Sequence, residues 1–154
     1  MKKQYLIICL VIFTASLACS KDFLKSYDKR IIGTWRLTDI DRFGFGSTNT
    51  QFRNGLFTFM NDGELIYVNE AGDSLTGSWN IQRRWSQGNC YTDADGRQNC
   101  NDRYIRSLSV SVVNFNTQQL LAEYFDEINF TGTNKFNAQI YLGAGTCVFR
   151  FRRQ

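Results

Sequence analysis

Two cysteines, Cys90 and Cys100, bracket an Asp-Gly turn in a polar stretch, and their spacing supports one specific covalent reaction. Because both would lie at the mouth of one hairpin, we expect them to form a disulfide in an oxidising compartment. Closing this loop stabilises the fold by about 2–3 kcal/mol in the chain-entropy model. The acidic and amide residues between them lack the spacing of a calcium-binding loop, which needs a glutamate at its twelfth position. The sequence therefore predicts a disulfide-closed hairpin without a metal.

Catalytic groups are scarce. The chain has no histidine, which removes Ser-His-Asp and Cys-His nucleophile pairs and every histidine-ligated metal site. Cys147 shares a strand face with Phe149 and Phe151, two positions apart each time, and is predicted to be a buried, inert thiol. Glu123 and Asp126 differ in parity, so in a regular strand they face opposite sides and do not form an acid–base pair. We expect no enzyme activity and no cofactor.

The elements that position these residues are predicted to be short β-strands. The chain has no proline, 12 glycines and 13 phenylalanines, and after Arg30 its apolar residues alternate with period two. The connections between predicted strands are too short for a crossover helix, so neighbouring strands are expected to be antiparallel. The fold class predicted is all-β, an eight-stranded antiparallel up-and-down barrel with a bulge near Asp126; a β-sandwich is the alternative. The predicted strands are 32–41, 55–61, 64–70, 75–85, 103–113, 118–130, 135–142 and 146–152.

The N-terminus has the features of an export signal. Two lysines follow Met1, an apolar run reaches Ala18, and the segment ends in Ser16-Leu17-Ala18-Cys19. This segment resembles the lipobox of bacterial lipoproteins, in which the cysteine is lipidated; an ordinary cleaved signal is the alternative. The resemblance divides the chain into a signal peptide (1–18), a lipidated cysteine with a tether (19–30) and a domain (31–154).

The resemblance also implies a location. Ser20 after Cys19, in place of aspartate, implies sorting to the outer membrane in Gram-negative lipoproteins, with the domain facing the periplasm or the cell surface. The lipid anchor makes the membrane a partner. The net charge of +4 owes two charges to the signal peptide, and no basic tract is present, so we expect no nucleic-acid partner.

Gly33-Thr34-Trp35, at the start of the first predicted strand, is similar to the Gly-x-Trp opening of lipocalins. The layout as a whole resembles the small lipocalin-like lipoproteins of Bacteroidetes. The resemblance implies that Trp35 closes one end of a barrel and that a basic residue of the last strand packs across its ring. Arg153 has the parity of Cys147, so it is the expected partner, in a cation–π contact.

The barrel suggests two functions. Aromatic residues of its strands can line a cavity for a small apolar or amphipathic ligand, which predicts non-catalytic binding or carriage; they are Phe57, Phe59, Tyr67, Trp79, Trp85, Tyr124, Phe136 and Phe149. The alternative is an interaction or structural accessory module of an envelope assembly, with a side-chain-filled barrel and loops 42–52 and 86–102 as its contact surface. Exposure of Phe43, Phe45 and Tyr91 would favour this alternative.

Overall fold

The computed structural model describes residues 25–45, 50–88, 90–115 and 117–154. Over these residues the chain forms antiparallel β-structure with one short helix, so the all-β class predicted from the sequence is confirmed. The predicted signal peptide 1–18, the predicted lipidation site Cys19 and the predicted tether up to residue 24 lie outside the described residues.

The elements follow one another with short connections. Helix α1 is Tyr27–Ile31, in the second half of the predicted tether. The strands are β1 (Gly33–Gly44), β2 (Gly55–Phe59), β3 (Glu64–Asn69), β4 (Ser74–Ser86), β5 (Cys90–Thr92), β6 (Gln98–Cys100), β7 (Arg103–Asn114), β8 (Gln119–Phe125), β9 (Glu127–Phe130), β10 (Lys135–Leu142) and β11 (Gly145–Arg153).

Nine of the strands form one antiparallel sheet in the order β8-β7-β4-β3-β2-β1-β11-β10-β9, and β5 pairs only with β6. The two edge strands, β8 and β9, are separated in the chain by Asp126 alone. In the described part of the chain no ladder joins these two edges to each other, so a sandwich-like packing is compatible with the observed sheet.

The predicted strands correspond to observed ones, with two differences. The segment 118–130, predicted as one strand with a bulge near Asp126, is divided at that residue into β8, which pairs with β7, and β9, which pairs with β10. The segment 86–102, predicted as a loop, contains the hairpin β5–β6. A three-residue strand is too short to give an alternating pattern, so the sequence indicates this hairpin through its two cysteines and its Asp-Gly turn and not through periodicity.

The core lies on one face of the large sheet because apolar side chains alternate along its strands. In β1 the register with β11 shifts between Leu37 and Asp39, so Thr38 is an extra residue. A shift of one residue moves later side chains to the other face. Trp35 and Leu37 are therefore buried before the bulge, and Ile40 packs against the core after it.

The two ends of the sheet carry different segments. Strands β1 and β4 run in opposite directions, because each neighbouring pair between them is antiparallel. We call the end at which β1 begins, beside α1, the tether end, and the end at which β1 finishes at Gly44 the loop end. The predicted loops 42–52 and 86–102 therefore follow strands that finish at opposite ends, and the structure does not combine them into one surface.

Candidate functional site

Trp35 and Arg153 pack against each other at the tether end. Trp35 is fully buried, and its indole Nε1 donates a hydrogen bond to the carbonyl oxygen of Ile31, at 2.6 Å. The Arg153 guanidinium carbon lies 4.3 Å from the centroid of the Trp35 ring. Its Nη2 and Nη1 donate to the carbonyl oxygens of Arg30 and Ile32, at 2.7 and 2.9 Å. The contact expected between Trp35 and Arg153 is therefore present.

Gly33 is required by this arrangement. Its φ is +120°, which side-chain-bearing residues rarely adopt, and a Cβ there would lie 2.6 Å from Nη1 of Arg153. The first and third residues of the Gly-x-Trp segment and Arg153 thus form one packed unit.

The loop end is covered by Phe52, a residue that the sequence does not single out. Its ring is fully buried and packs 5.3 Å from Phe57 and 5.0 Å from Tyr67, between ring centroids. The preceding residue, Gln51, accepts a hydrogen bond from the backbone N–H of Ala122 in β8 at 2.7 Å. Because β8 lies far from β2 in the sheet order, this hydrogen bond joins distant parts of the sheet.

Five of the eight predicted ligand-binding aromatics are buried in the core: Phe57, Phe59, Tyr67, Phe136 and Phe149. Phe57 contacts Phe59 and Tyr67, and the remaining two contact other rings of the core. Phe136 stacks on Phe151 with 4.4 Å between centroids, and Phe149 packs edge-on against Phe125 at 5.0 Å. Mutually packed rings of this kind fill space as core side chains do.

The other three predicted aromatics do not line the interior in this way. Trp79 is half-buried, and its indole N–H donates to the carbonyl oxygen of Met60 at 3.0 Å. Trp85 is 52% exposed, and Tyr124 is exposed on the opposite side of the sheet from the core. A ligand enclosed by all eight side chains is therefore not compatible with this packing.

Cys90 and Cys100 form the predicted disulfide, opposite each other in the β5–β6 hairpin. The Asp93 carboxylate accepts hydrogen bonds from the backbone N–H groups of Asp95 and Arg97, and so orders the turn. Among the described residues no group of three Cys, Asp or Glu side chains has a metal-site arrangement. Cys147 is buried in the core.

A polar network occupies the position where β8 passes into β9. Glu127 is only 4% exposed; it accepts hydrogen bonds from Arg103 at 2.8 Å and from the Tyr141 hydroxyl at 2.5 Å. Asp126 binds Arg84 at 3.1 Å and accepts the backbone N–H of Tyr141. Burial and the Glu127 carboxylate, through its hydrogen bond and its charge, raise the pKa of Tyr141 to about 12.

Three exposed aromatic residues form what we call the loop-end aromatic surface: Phe43, Phe45 and Tyr141. Phe43 and Tyr141 each pair with Thr146, from opposite sides, so they lie in one row across three strands. Phe45 is 87% exposed, and its backbone N–H donates to the carbonyl oxygen of Ala144 at the adjacent turn. Tyr91, expected to share this surface, is exposed on the β5–β6 hairpin.

In comparisons with known proteins, no family model, no curated protein and no solved structure matches this chain. None of the helices in the described residues has the length and apolar character needed to cross a bilayer.

Proposed function

We propose that this protein is a non-catalytic, lipid-anchored module that binds an envelope protein through its loop-end aromatic surface. The observation that carries the proposal is a contrast in burial. Five aromatic residues expected to hold a ligand are buried in the core, whereas Phe43 and Phe45 are exposed. Contiguous exposed apolar side chains mark protein interaction sites more often than isolated ones do.

The proposed fold is a lipocalin-like barrel. Two observations support it: the chain passes from one edge of the sheet to the other at Asp126, and Gln51 reaches across to β8. A strongly twisted sheet of nine strands buries its apolar face by curling on itself. The contact between Trp35 and Arg153 is the one that the resemblance to lipocalins implies.

The proposed anchor is an acylated Cys19, on an outer membrane whose periplasmic or external face the domain occupies. The sequence Ser16-Leu17-Ala18-Cys19 supports it. In a bacterial host fed an alkyne fatty acid, the chain should acquire the label, and Cys19→Ala should remove it together with membrane retention. Labelling that survives Cys19→Ala would contradict the proposed anchor.

The partner is expected to be a protein because of the chemistry of the surface. Aromatic side chains supply large, rigid contact areas and are enriched at the centres of protein interfaces. The Tyr141 hydroxyl is already committed to Glu127, so its ring is held in place and its exposed face is available for packing. Phe45 projects beside the turn at Ala144 and enlarges the same surface.

This proposal is tested by replacing Phe45 with a photoreactive amino acid and crosslinking the protein in the cell envelope. We expect a crosslinked product of one defined mass, which is lost when Phe43→Ser is added. The same probe at Thr133, an exposed turn position at the tether end, is the matched control. Identical products at both positions, or a product that persists with Phe43→Ser, would contradict a partner at the loop end.

Carriage of a small apolar ligand is the competing function, and it requires Phe52 and its neighbours to leave the interior. Native mass spectrometry of residues 20–154 with a membrane lipid extract separates the two functions. An unmodified mass favours the interaction module, because the packed rings leave the ligand no site. A bound lipid mass that is lost on denaturation would instead support carriage.

A further inference from the structure

A second exposed surface lies at the tether end, where four residues of β4 and β7 form what we call the basic–aromatic patch: Arg83, Trp85, Tyr104 and Arg106. Trp85 pairs with Tyr104 and Arg83 pairs with Arg106 in the β4–β7 ladder. The rings of Trp85 and Tyr104 meet edge to face with centroids 4.7 Å apart. The guanidinium carbon of Arg83 lies 3.8 Å from the Tyr104 centroid.

The patch is exposed because these two strands extend beyond the rest of the sheet. The last residue of β4 that pairs with β3 is Ser78, so the strand from Trp79 onwards has only β7 beside it. Trp85 and Tyr104 share the parity of core residues nearer the middle of their strands, yet they are 52% and 54% exposed. No ion pair of Arg83 or Arg106 occurs in the described ranges.

The patch adjoins the segment through which the chain would be anchored. The Arg106 guanidinium carbon lies 4.5 Å from the centroid of the Tyr27 ring in α1. Lys25 and Lys29 add positive charge in and beside the same helix. Lys25 follows Cys19 by only six positions, and a fully extended chain of that length spans about 20 Å. An acylated Cys19 would thus keep the patch near the lipid headgroups.

We propose that the basic–aromatic patch binds the surface of an anionic lipid bilayer. Tryptophan and tyrosine favour the membrane–water interface, where the ring contacts the acyl boundary and its polar group stays hydrated. Arginine side chains lay their apolar stems along such a surface and place their charge among the phosphates. The patch combines both residue types at the end of the domain from which the tether leaves.

This inference goes beyond the proposed partner binding and uses different residues. If the basic–aromatic patch faces the bilayer, the loop-end aromatic surface is directed away from it, towards a partner. The inference depends on the proposed acylation only for the position of the membrane relative to the domain. The test therefore uses a chain without acyl groups, so that failure of the patch and failure of the anchor give different results.

The first experiment measures binding of residues 20–154, which contain every described element, to vesicles. Vesicles of phosphatidylcholine with about one third phosphatidylglycerol should bind the protein, and vesicles of phosphatidylcholine alone should bind it much less. The double variant Arg83→Gln and Arg106→Gln should weaken binding to the anionic vesicles about thirty-fold, since each arginine near such a surface contributes about five-fold.

The matched control removes two arginines from the loop end, Arg42→Gln with Arg53→Gln, and so makes the same change in net charge. It should retain most of the binding. Equal losses in the two double variants would overturn the proposal, because attraction would then depend on net charge alone. Equal binding of the wild type to neutral and anionic vesicles, or no binding to either, would also overturn it.

Trp85 supplies a second, independent readout. Trp35 is buried and Trp79 is half-buried, so phospholipids brominated on their acyl chains should quench chiefly the fluorescence of Trp85. The conservative variant Trp85→Phe should still bind anionic vesicles but lose most of the quenching. Quenching that remains unchanged in Trp85→Phe would mean that another face meets the bilayer, and would overturn the assignment to this patch.

Discussion

Arg153 lies across the ring of Trp35, with its guanidinium carbon 4.3 Å from the ring centroid, while both Nη atoms donate to backbone carbonyl oxygens. The last strand is thereby joined to the first strand and to α1. The Arg153 side chain thus makes three stabilising contacts at the tether end: one with the Trp35 ring and two with backbone carbonyl oxygens.

Arg153→Gln should lower the free energy of unfolding by about 2–3 kcal/mol, because the variant loses a cation–π contact and charge-assisted hydrogen bonds. Urea unfolding followed by fluorescence measures the change. The neighbouring Arg152 is exposed and makes the matched control, since Arg152→Gln should stay within about 0.5 kcal/mol of the wild type. Equal effects at the two positions would contradict the role assigned to Arg153.

Gly33→Ala should destabilise the fold by about 2–4 kcal/mol, for two separable reasons: its φ is +120° and its new Cβ would meet Arg153. Gly72→Ala is the control for φ alone, since Gly72 has a φ of +90° with nothing within 4 Å of a Cβ. Gly72→Ala should cost about 1 kcal/mol. In a double-mutant cycle, Gly33→Ala should cost less when Arg153→Gln is already present.

The tether end is the part of the molecule that the sequence predicts best. The contact of Trp35 with a basic residue of the last strand is implied by the resemblance of Gly33-Thr34-Trp35 to the opening of lipocalins, and parity with Cys147 then selects Arg153. A bulge near Asp126 is also predicted from the sequence, and the structure divides the predicted strand at that residue. In each case the information lies within one strand, where period-two alternation determines which face a residue occupies.

The exposed surfaces and the cover at the loop end depend on relations between strands, which alternation does not encode. Trp85 continues the pattern of Trp79, but it lies at the far end of the part of β4 that extends past β3, so the same parity gives a half-buried ring at Trp79 and an exposed ring at Trp85. Phe52 lies between strands, where no period marks it. A single aromatic residue two positions before Asn54-Gly55, in a polar stretch, was the only available signal.

Phe52→Ala should lower the free energy of unfolding by about 3–5 kcal/mol, because it removes a fully buried ring from contact with Phe57 and Tyr67. The matched control is Phe45→Ala, nearby at the loop end, which should change stability by less than about 0.5 kcal/mol because its ring is exposed. Chemical denaturation measures both. A small effect of Phe52→Ala would mean that the connection does not cover the interior in solution.

The network around Glu127 predicts a pH dependence at the alkaline end. The pKa of Tyr141 is raised from the usual phenol value of about 10 to about 12, with burial as the largest cause and the Glu127 carboxylate as the next. The unfolded chain therefore loses this proton at a lower pH than the folded one. The contribution of Tyr141 to the free energy of unfolding is fully present below about pH 10 and is lost as the pH rises towards 12.

Replacing the carboxylate separates its contribution from that of burial. In Glu127→Gln the charge next to the phenol is removed, so the pKa of Tyr141 should fall from about 12 towards its ordinary value while burial still holds it above that value. Ultraviolet titration of phenolate, as the difference between each protein and its Tyr141→Phe counterpart, isolates this group among the 7 tyrosines. An unchanged Tyr141 titration in Glu127→Gln would show that the hydroxyl does not bond to Glu127, and that burial alone raises its pKa.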